Sequence, residues 1–328
     1  MIENIADRER SGSARRHLPW GSTLVFTLLF GGTQIFAQTV PREASYDTLQ
    51  FQSKIKESAR ALGNHPRLNN DQLKGLSDEQ RENLMEFLAG NMLFVTMHEL
   101  GHAAIQELGL PVLGREEDAA DQFATLKLLN VNNLSHQVLH EASKGWFLSD
   151  RRDRRDGEEQ IYYDEHGLDE QRAYQIVCLM VGSDPDKMAA LAKETELPQD
   201  RQDTCVGQDY PRASMSWDMV LRPHYRAADR PKTKIDVVYG DGKGDFDVLA
   251  EIFRSTRLLE IVADHTSDLL AWPEPFVLET QSCGVINAHW DTRTRRLTLC
   301  YELAQDFAEL YRDFNHVPQP PRHSKKLR

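Results

Sequence analysis

The chain has 328 residues, of which 40% are hydrophobic and 27% are charged. These proportions are typical of a globular protein and exclude a disordered or fibrous one. The formal net charge of −12 argues against a nucleic-acid-binding protein, which needs a basic face to replace the counterions of the phosphates.

The N-terminal segment has the composition of a secretory signal peptide. Basic residues, including Arg15 and Arg16, precede an uncharged stretch over residues 18–37, and a polar segment follows Ala37. A basic region, an apolar region and a small residue at the break are the parts of such a signal. We therefore expect residues 1–37 to be removed and the protein to be periplasmic or secreted, with no stable membrane span. An uncleaved membrane anchor is the less favoured alternative, because the apolar part is short and interrupted.

Helices are predicted for most of the segment up to about residue 230. Ser77 and Gln80 form a capping-box pattern, and apolar residues then recur at helical spacing to about Leu108. This segment is one long helix or two helices that meet near Gly90. A second long helix is predicted over about 115–129. Shorter helices are predicted at four places: near 49–62, 169–181, 186–195 and 212–221.

Two further patterns complete the secondary structure. The segment 149–160 is strongly polar and is predicted to be an exposed loop. From about residue 231, alternating and β-branched residues predict strands, and these strands cover about 235–239, 276–280, 285–290 and 297–301. The last two strands are predicted to form a hairpin. Helices are predicted at about 246–269 and 303–314, and the basic tail 316–328 is predicted to be disordered.

The first long helix carries a metal-binding pattern, His98-Glu99-Leu-Gly-His102. Histidines four residues apart on a helix project from one face and can bind the same metal ion. Glu99 follows the first histidine, where a general base takes a proton from the attacking water and delivers it to the leaving amine. The apolar flanks of the motif favour a metal site over two structural histidines, which is the alternative.

A catalytic zinc site needs a third protein ligand and an open position. One class of zinc peptidases has a third histidine near position 108, but that residue is Leu108. The next helix is acidic, and Glu117 and Asp121 lie one turn apart on the same face. We expect Glu117 to be the third ligand and Asp121 to accept a hydrogen bond from a ligand histidine. Asp121, Glu116 or Asp118 as the ligand, or a solvated first turn without any ligand, are the alternatives. Glu116 and Asp118 are expected to cap or solvate the helix.

These motifs carry a family resemblance. Glu117-Asp-Ala-Ala-Asp121 after the histidine motif resembles the glutamate zincins, and the two motifs together resemble a bacterial family assigned as metallopeptidases, a domain of unknown function. Similar stretches occur at 164–178 and 283–303, so the resemblance covers about residues 75–310. It implies zinc and the hydrolysis of a peptide or protein substrate. The predicted fold is α+β: a mainly helical, zincin-like domain with a small C-terminal β-hairpin or sheet.

A metallopeptidase also needs a donor that stabilises the oxyanion of the tetrahedral intermediate, usually His, Tyr or Arg. His166, which is flanked by tyrosines and Arg172, is the candidate, and a structural hydrogen bond is the alternative for it. The strand near 285–290 or 297–301 is expected to bind the substrate backbone. His136 and His140 are also four residues apart but lack the glutamate, so they are expected to be surface or packing residues.

The four cysteines fit an exported protein, because an even number in such a chain favours disulfides. The pairing that closes the shortest loops is expected: Cys178–Cys205 and Cys283–Cys300. Four reduced cysteines in a cytosolic protein are the alternative. No C-x-x-C spacing occurs, which argues against a zinc site made of cysteines.

These observations predict a secreted zinc-dependent peptidase with Glu99 as its general base. The expected domain covers residues 38–315, with a helical metal-site part over about 75–230 and an α/β part over about 231–315. The alternative is a zinc-binding scaffold or interaction protein without proteolytic activity. Glu99 favours the enzyme, because a scaffold does not need a base at that position.

Overall fold

The computed structural model describes residues 75–130, 134–242 and 246–315. The predicted signal peptide, the helix near 49–62 and the C-terminal tail lie outside the described residues. Helices dominate the described part of the chain and accompany one small sheet. The prediction of a mainly helical α+β fold is therefore confirmed.

The described residues form the following α-helices, numbered in chain order: α1 Asp78–Leu108, α2 Glu116–Leu129, α3 Leu134–Asp156, α4 Asp169–Ser183, α5 Ala189–Glu194, α6 Gln199–Thr204, α7 Tyr210–Leu221, α8 Asp247–Thr256, α9 Leu258–Leu269 and α10 Tyr301–Phe314. A short π-helix, Cys205–Asp209, joins α6 to α7, and a 3-10 turn, Arg222–His224, follows α7.

The sheet has the strand order β1-β2-β4-β3. Its strands are β1 Ile235–Tyr239, β2 Phe276–Gln281, β3 Ala288–Asp291 and β4 Arg296–Cys300. β1 and β4 pair with β2 in parallel, and β3 pairs with β4 as an antiparallel hairpin. The hairpin is therefore confirmed, and β3 is an edge strand that lies against α1.

Helix α1 is the central helix of the core. Ser77 and Gln80 form the predicted capping box, and Gly109 ends the helix in the left-handed conformation with φ 63°. The helix passes through Gly90 without a break, so one long helix forms rather than two. Most residues between Leu84 and Ile105 are buried, as expected of a helix that neighbours surround on all sides.

Helices α1 and α2 run antiparallel and pack closely beside the histidine motif. A Cβ atom on Gly101 would lie 3.0 Å from the Cα atom of Ala120, which is closer than side chains normally approach a backbone. Glycine at position 101 therefore allows the two helices to meet. Their close contact brings the acidic side chains of α2 to the histidines of α1.

Two predicted elements differ from the structure. The segment 149–160 was expected to be a loop, but α3 continues to Asp156. Its charged side chains form ion pairs that suit a helix, such as Arg154 with Asp150 one turn earlier at 2.6 Å. The predicted helix 246–269 is divided into α8 and α9, because Arg257 adopts φ 54° between them.

Disulfides join Cys178 to Cys205 and Cys283 to Cys300. These are the pairs expected from the shortest loops. The first disulfide ties α4 to the short π-helix, and the second joins the loop before β3 to the end of β4. Within the described ranges, no helix combines the length and the apolar character needed to cross a membrane.

Candidate metal centre

Three side chains predicted to bind a metal converge between α1 and α2. Oε2 of Glu117 lies 3.1 Å from Nε2 of His98 and 3.3 Å from Nε2 of His102. The two Nε2 atoms lie 3.2 Å apart. The four-residue spacing of the histidines on α1 and the packing of α2 thus bring two imidazole nitrogens and a carboxylate oxygen close together.

The donor set fits a zinc ion. Zinc prefers imidazole and carboxylate ligands, and catalytic sites use three protein ligands. Two ligand atoms at about 2.05 Å from a tetrahedral ion lie roughly 3.3 Å from each other. The separations of 3.1 Å, 3.2 Å and 3.3 Å among the three atoms match this value. The chemistry and spacing of this cluster therefore suit a tetrahedral ion with one position left for water or substrate.

Asp121 orients the ring of His98. Its Oδ1 atom accepts a hydrogen bond from Nδ1 of His98 at 2.7 Å, and its side chain is almost completely buried. A carboxylate can only accept here, so Nδ1 carries the proton and Nε2 is the nitrogen that can bind a metal ion. Asp121 therefore lies beside a candidate ligand histidine and accepts a hydrogen bond from its ring.

Glu116 performs the same task for the second histidine. Its Oε1 atom accepts a hydrogen bond from Nδ1 of His102 at 2.8 Å, and Gln106 donates to the same oxygen at 3.3 Å. The expectation that Glu116 points away from the site is wrong. The physical reason is that α1 and α2 are antiparallel. His102 lies one turn after His98 on α1, and Glu116 lies just over one turn before Asp121 on α2, so the two residues meet.

The carboxylates surround the histidines with negative charge. Burial by itself lowers the pKa of His102, but the hydrogen bonds with Glu117 and Glu116 raise that pKa to about 9. Burial also opposes ionisation of Glu117, yet hydrogen bonds from the surrounding histidines keep its pKa well below the usual range. The negative charge that raises the pKa of His102 also favours the binding of a divalent cation.

His166 lies on the loop between α3 and α4 and reaches the same cluster. Its Nε2 atom is 2.9 Å from Oε2 of Glu117, and its side chain is about half exposed. Asp164 contacts both the backbone N–H and Nδ1 of His166, at 2.9 Å and 3.1 Å. Arg115 donates a hydrogen bond to the backbone carbonyl oxygen of His166 at 3.3 Å. These contacts hold the imidazole of His166 at the edge of the candidate metal site, next to the carboxylate of Glu117.

Glu99 lies on α1 beside His98 and lines a cleft of about 660 Å³. The side chain is almost completely buried. The metal-ligand candidates and His166 line the same cleft. Its far wall is the edge strand β3 and the residues before it, which include Ile286 and Asn287. The loop that carries Ile286 is held by the disulfide Cys283–Cys300.

Two side chains that contribute to this site, Glu116 and Arg172, do not follow from the predicted motif. Glu116 was assigned to the helix end, although its register relative to Asp121 could have indicated its contact with His102. Arg172 was noticed only as a neighbour of His166, but its guanidinium binds Asp121. No local pattern could have shown this contact, because α2 and α4 are distant in sequence. Conversely, His136 and His140 lie on α3 and are not part of the cluster among the described residues.

The fold and the site define a mainly helical α+β protein with a His-Glu-x-x-His helix and a glutamate from the next helix. A family model described as "putative metallopeptidase" matches residues 67–221 and 242–326. The match covers most of the chain, so the protein belongs to this family, and the resemblance inferred from the motifs is confirmed. Membership implies a metal ion and peptide substrates. The searches of curated proteins and of solved structures gave no match.

Proposed function

We propose that the protein is an exported zinc-dependent peptidase with Glu99 as its general base. The observation that carries the proposal is the convergence of His98, His102 and Glu117 at mutual distances of 3.1 Å to 3.3 Å. Glu99 lies next to this cluster on the wall of an open cleft. A cluster that served only to hold the fold together would not need a carboxylate beside an open cleft.

The chain's own residues suit each step of peptide hydrolysis. Zinc, when bound, polarises the scissile carbonyl and lowers the pKa of water to about 7. Glu99 accepts the proton of the attacking water and passes it to the leaving amine. Asp121 and Glu116 hold the two imidazoles so that both Nε2 atoms keep their direction.

His166 is proposed as the group that stabilises the oxyanion. Its position at the edge of the cluster, with Nε2 directed at Glu117, supports this role. Asp164 holds the opposite ring nitrogen, so Nε2 is the atom that faces the cleft. The hydrogen bond with Glu117 raises the pKa of His166, which favours the imidazolium form with a proton on both ring nitrogens. When a substrate carbonyl occupies the cleft, Nε2 of this imidazolium can donate to the developing negative charge.

The edge strand β3 is proposed to bind the substrate backbone. Among the described strands it pairs only with β4, and its residues line the cleft. An extended peptide can add to such an edge through main-chain hydrogen bonds. The preceding loop is fixed by Glu302, which accepts hydrogen bonds from the backbone N–H groups of Cys283 and Gly284 at 3.0 Å and 2.7 Å.

Export and domain extent are part of the proposal. The two disulfides fit an oxidising compartment, and they support the interpretation of residues 1–37 as a signal peptide that leaves a periplasmic or secreted enzyme. The mature enzyme is proposed to use residues 38–315 as one domain, with the tail 316–328 outside it.

The mature protein, residues 38–328, is expected to contain about one zinc ion per chain and to cleave unfolded protein substrates. Zinc is measured by elemental analysis and cleavage by mass spectrometry of the products. A chelator should abolish cleavage, and added zinc should restore it. Protein that contains no metal after zinc supplementation would contradict the proposed site. Zinc binding without hydrolysis of a broad set of peptides would instead favour the non-proteolytic scaffold.

The two adjacent glutamates of α2 provide a test of the ligand assignment. Glu116→Ala should weaken zinc binding by roughly 10- to 100-fold, because Glu116 only orients His102. Glu117→Ala should weaken it further, because a ligand atom itself is lost. Competition with a chromophoric chelator measures both dissociation constants. If Glu116→Ala has the larger effect, the ligand assignment passes to Glu116.

A further inference from the structure

A buried arginine contacts Asp121, the residue that accepts a hydrogen bond from His98 in the candidate metal site. Arg172 on α4 is 8% exposed, and it forms a bidentate pair with Asp121. Its Nε atom donates to Oδ2 and a terminal nitrogen donates to Oδ1, both at 2.8 Å. The guanidinium also lies over the ring of Trp146, at 3.8 Å from the ring centroid. One cation–π contact and three hydrogen bonds therefore connect Trp146 through Arg172 and Asp121 to His98.

Stability alone does not explain this pair. Removing two charges from water is costly, and replacing a buried ion pair with apolar residues of similar size is often neutral or stabilising. A second bidentate pair, Arg152 with Asp306 at 2.8 Å and 3.0 Å, joins α3 to α10 and is more exposed. That pair shows how the fold links two helices without a buried guanidinium next to the cleft.

The geometry connects Arg172 to the direction of the His98 ring. Oδ1 of Asp121 is shared: it accepts from the guanidinium at 2.8 Å and from Nδ1 of His98 at 2.7 Å. A carboxylate held by a single bond can rotate, whereas two parallel bonds from a planar guanidinium fix its plane. The fixed carboxylate then determines where the N–H of His98 points and which nitrogen faces the cluster.

We propose that Arg172 is a positioning residue of the metal centre. Acting through Asp121, it fixes the tautomer and orientation of His98 and thereby sets the affinity of the site for its metal. This inference rests on the proposed zinc site, but it assigns a role to a residue whose side-chain hydrogen bonds go to Asp121 rather than to the three ligand candidates.

The test compares two arginines that form the same kind of pair. Arg172→Lys keeps a cation beside Asp121, so the protein should fold, but it replaces the bidentate fork with a point charge. We expect its zinc affinity to fall by about 10-fold or more, with a changed visible spectrum of the cobalt-substituted protein. The control, Arg152→Lys, should leave zinc affinity and the cobalt spectrum unchanged, whatever its effect on thermal stability.

A double variant separates positioning from folding. Asp121→Leu with Arg172→Met replaces the buried pair by apolar side chains, which the fold can tolerate. We expect circular dichroism to show a folded protein whose zinc affinity is lower by up to about 100-fold. If Arg172→Lys folds and binds zinc as the wild type does, the proposed role of Arg172 is overturned, whatever the double variant does. If Arg172→Lys does not fold, wild-type zinc affinity in the double variant overturns it. If the wild-type protein itself binds no zinc, the proposed function fails first, and this inference fails with it.

Discussion

Replacing Glu99 with glutamine is expected to leave about one zinc ion bound per chain while reducing peptide hydrolysis by roughly 100- to 10,000-fold. Glutamine has the size of glutamate but cannot accept the proton of the attacking water. Glu99 lines the cleft beside His98 and is not one of the three clustered ligand candidates, so the ligand set should survive the substitution. Elemental analysis and the rate of peptide cleavage measure the two effects separately.

Glu107→Gln is the matched control for this experiment. Glu107 lies on the same helix, but it contacts Arg295 rather than the cleft. Its substitution should change neither zinc content nor cleavage rate. Wild-type cleavage by Glu99→Gln would remove Glu99 from the role of general base. A loss of zinc in Glu99→Gln would show that Glu99 supports the metal site instead.

Replacing His98 with alanine is expected to lower the zinc content from about one ion per chain to near zero and to abolish hydrolysis. The substitution removes one of three ligand atoms and also leaves Asp121 and Arg172 without the imidazole that they orient. Added zinc should not restore activity at concentrations that saturate the wild-type protein. Metal analysis after dialysis is the direct measurement.

The chain offers a control with the same spacing of histidines. His136 and His140 are four residues apart on α3, and His140 contacts Glu141 and Glu194 at 3.5 Å and 3.4 Å. His140→Ala should retain wild-type zinc content and cleavage. Wild-type zinc content in His98→Ala would move the metal site elsewhere in the protein and contradict the assignment of the motif.

Sequence periodicity predicted the elements that local interactions determine. The capping box at Ser77, the helix through His98 and the hairpin ending at Cys300 all follow from contacts between residues near one another in the chain. The disulfide pairs also followed from loop length. Polar composition misled the prediction for 149–156, because ion pairs along a helix can stabilise a segment that has few apolar residues.

The sequence by itself determined which side chains the candidate site contains. His98, Glu99 and His102 must share one region of α1, since four-residue spacing on a helix places two side chains on the same face. The same rule related Glu117 to Asp121 on α2. These residue types and spacings are enough to predict a metal ion, a base and an acidic third ligand without knowledge of how the helices pack.

Only the tertiary structure decided how the site is supported. The antiparallel contact of α1 and α2 at Gly101 pairs Glu116 with His102, and the packing of α4 brings Arg172 to Asp121. The sheet supplies the far wall of the cleft through β3. These contacts join segments separated by many residues, so local periodicity contains no information about their register, and close packing of the core sets it.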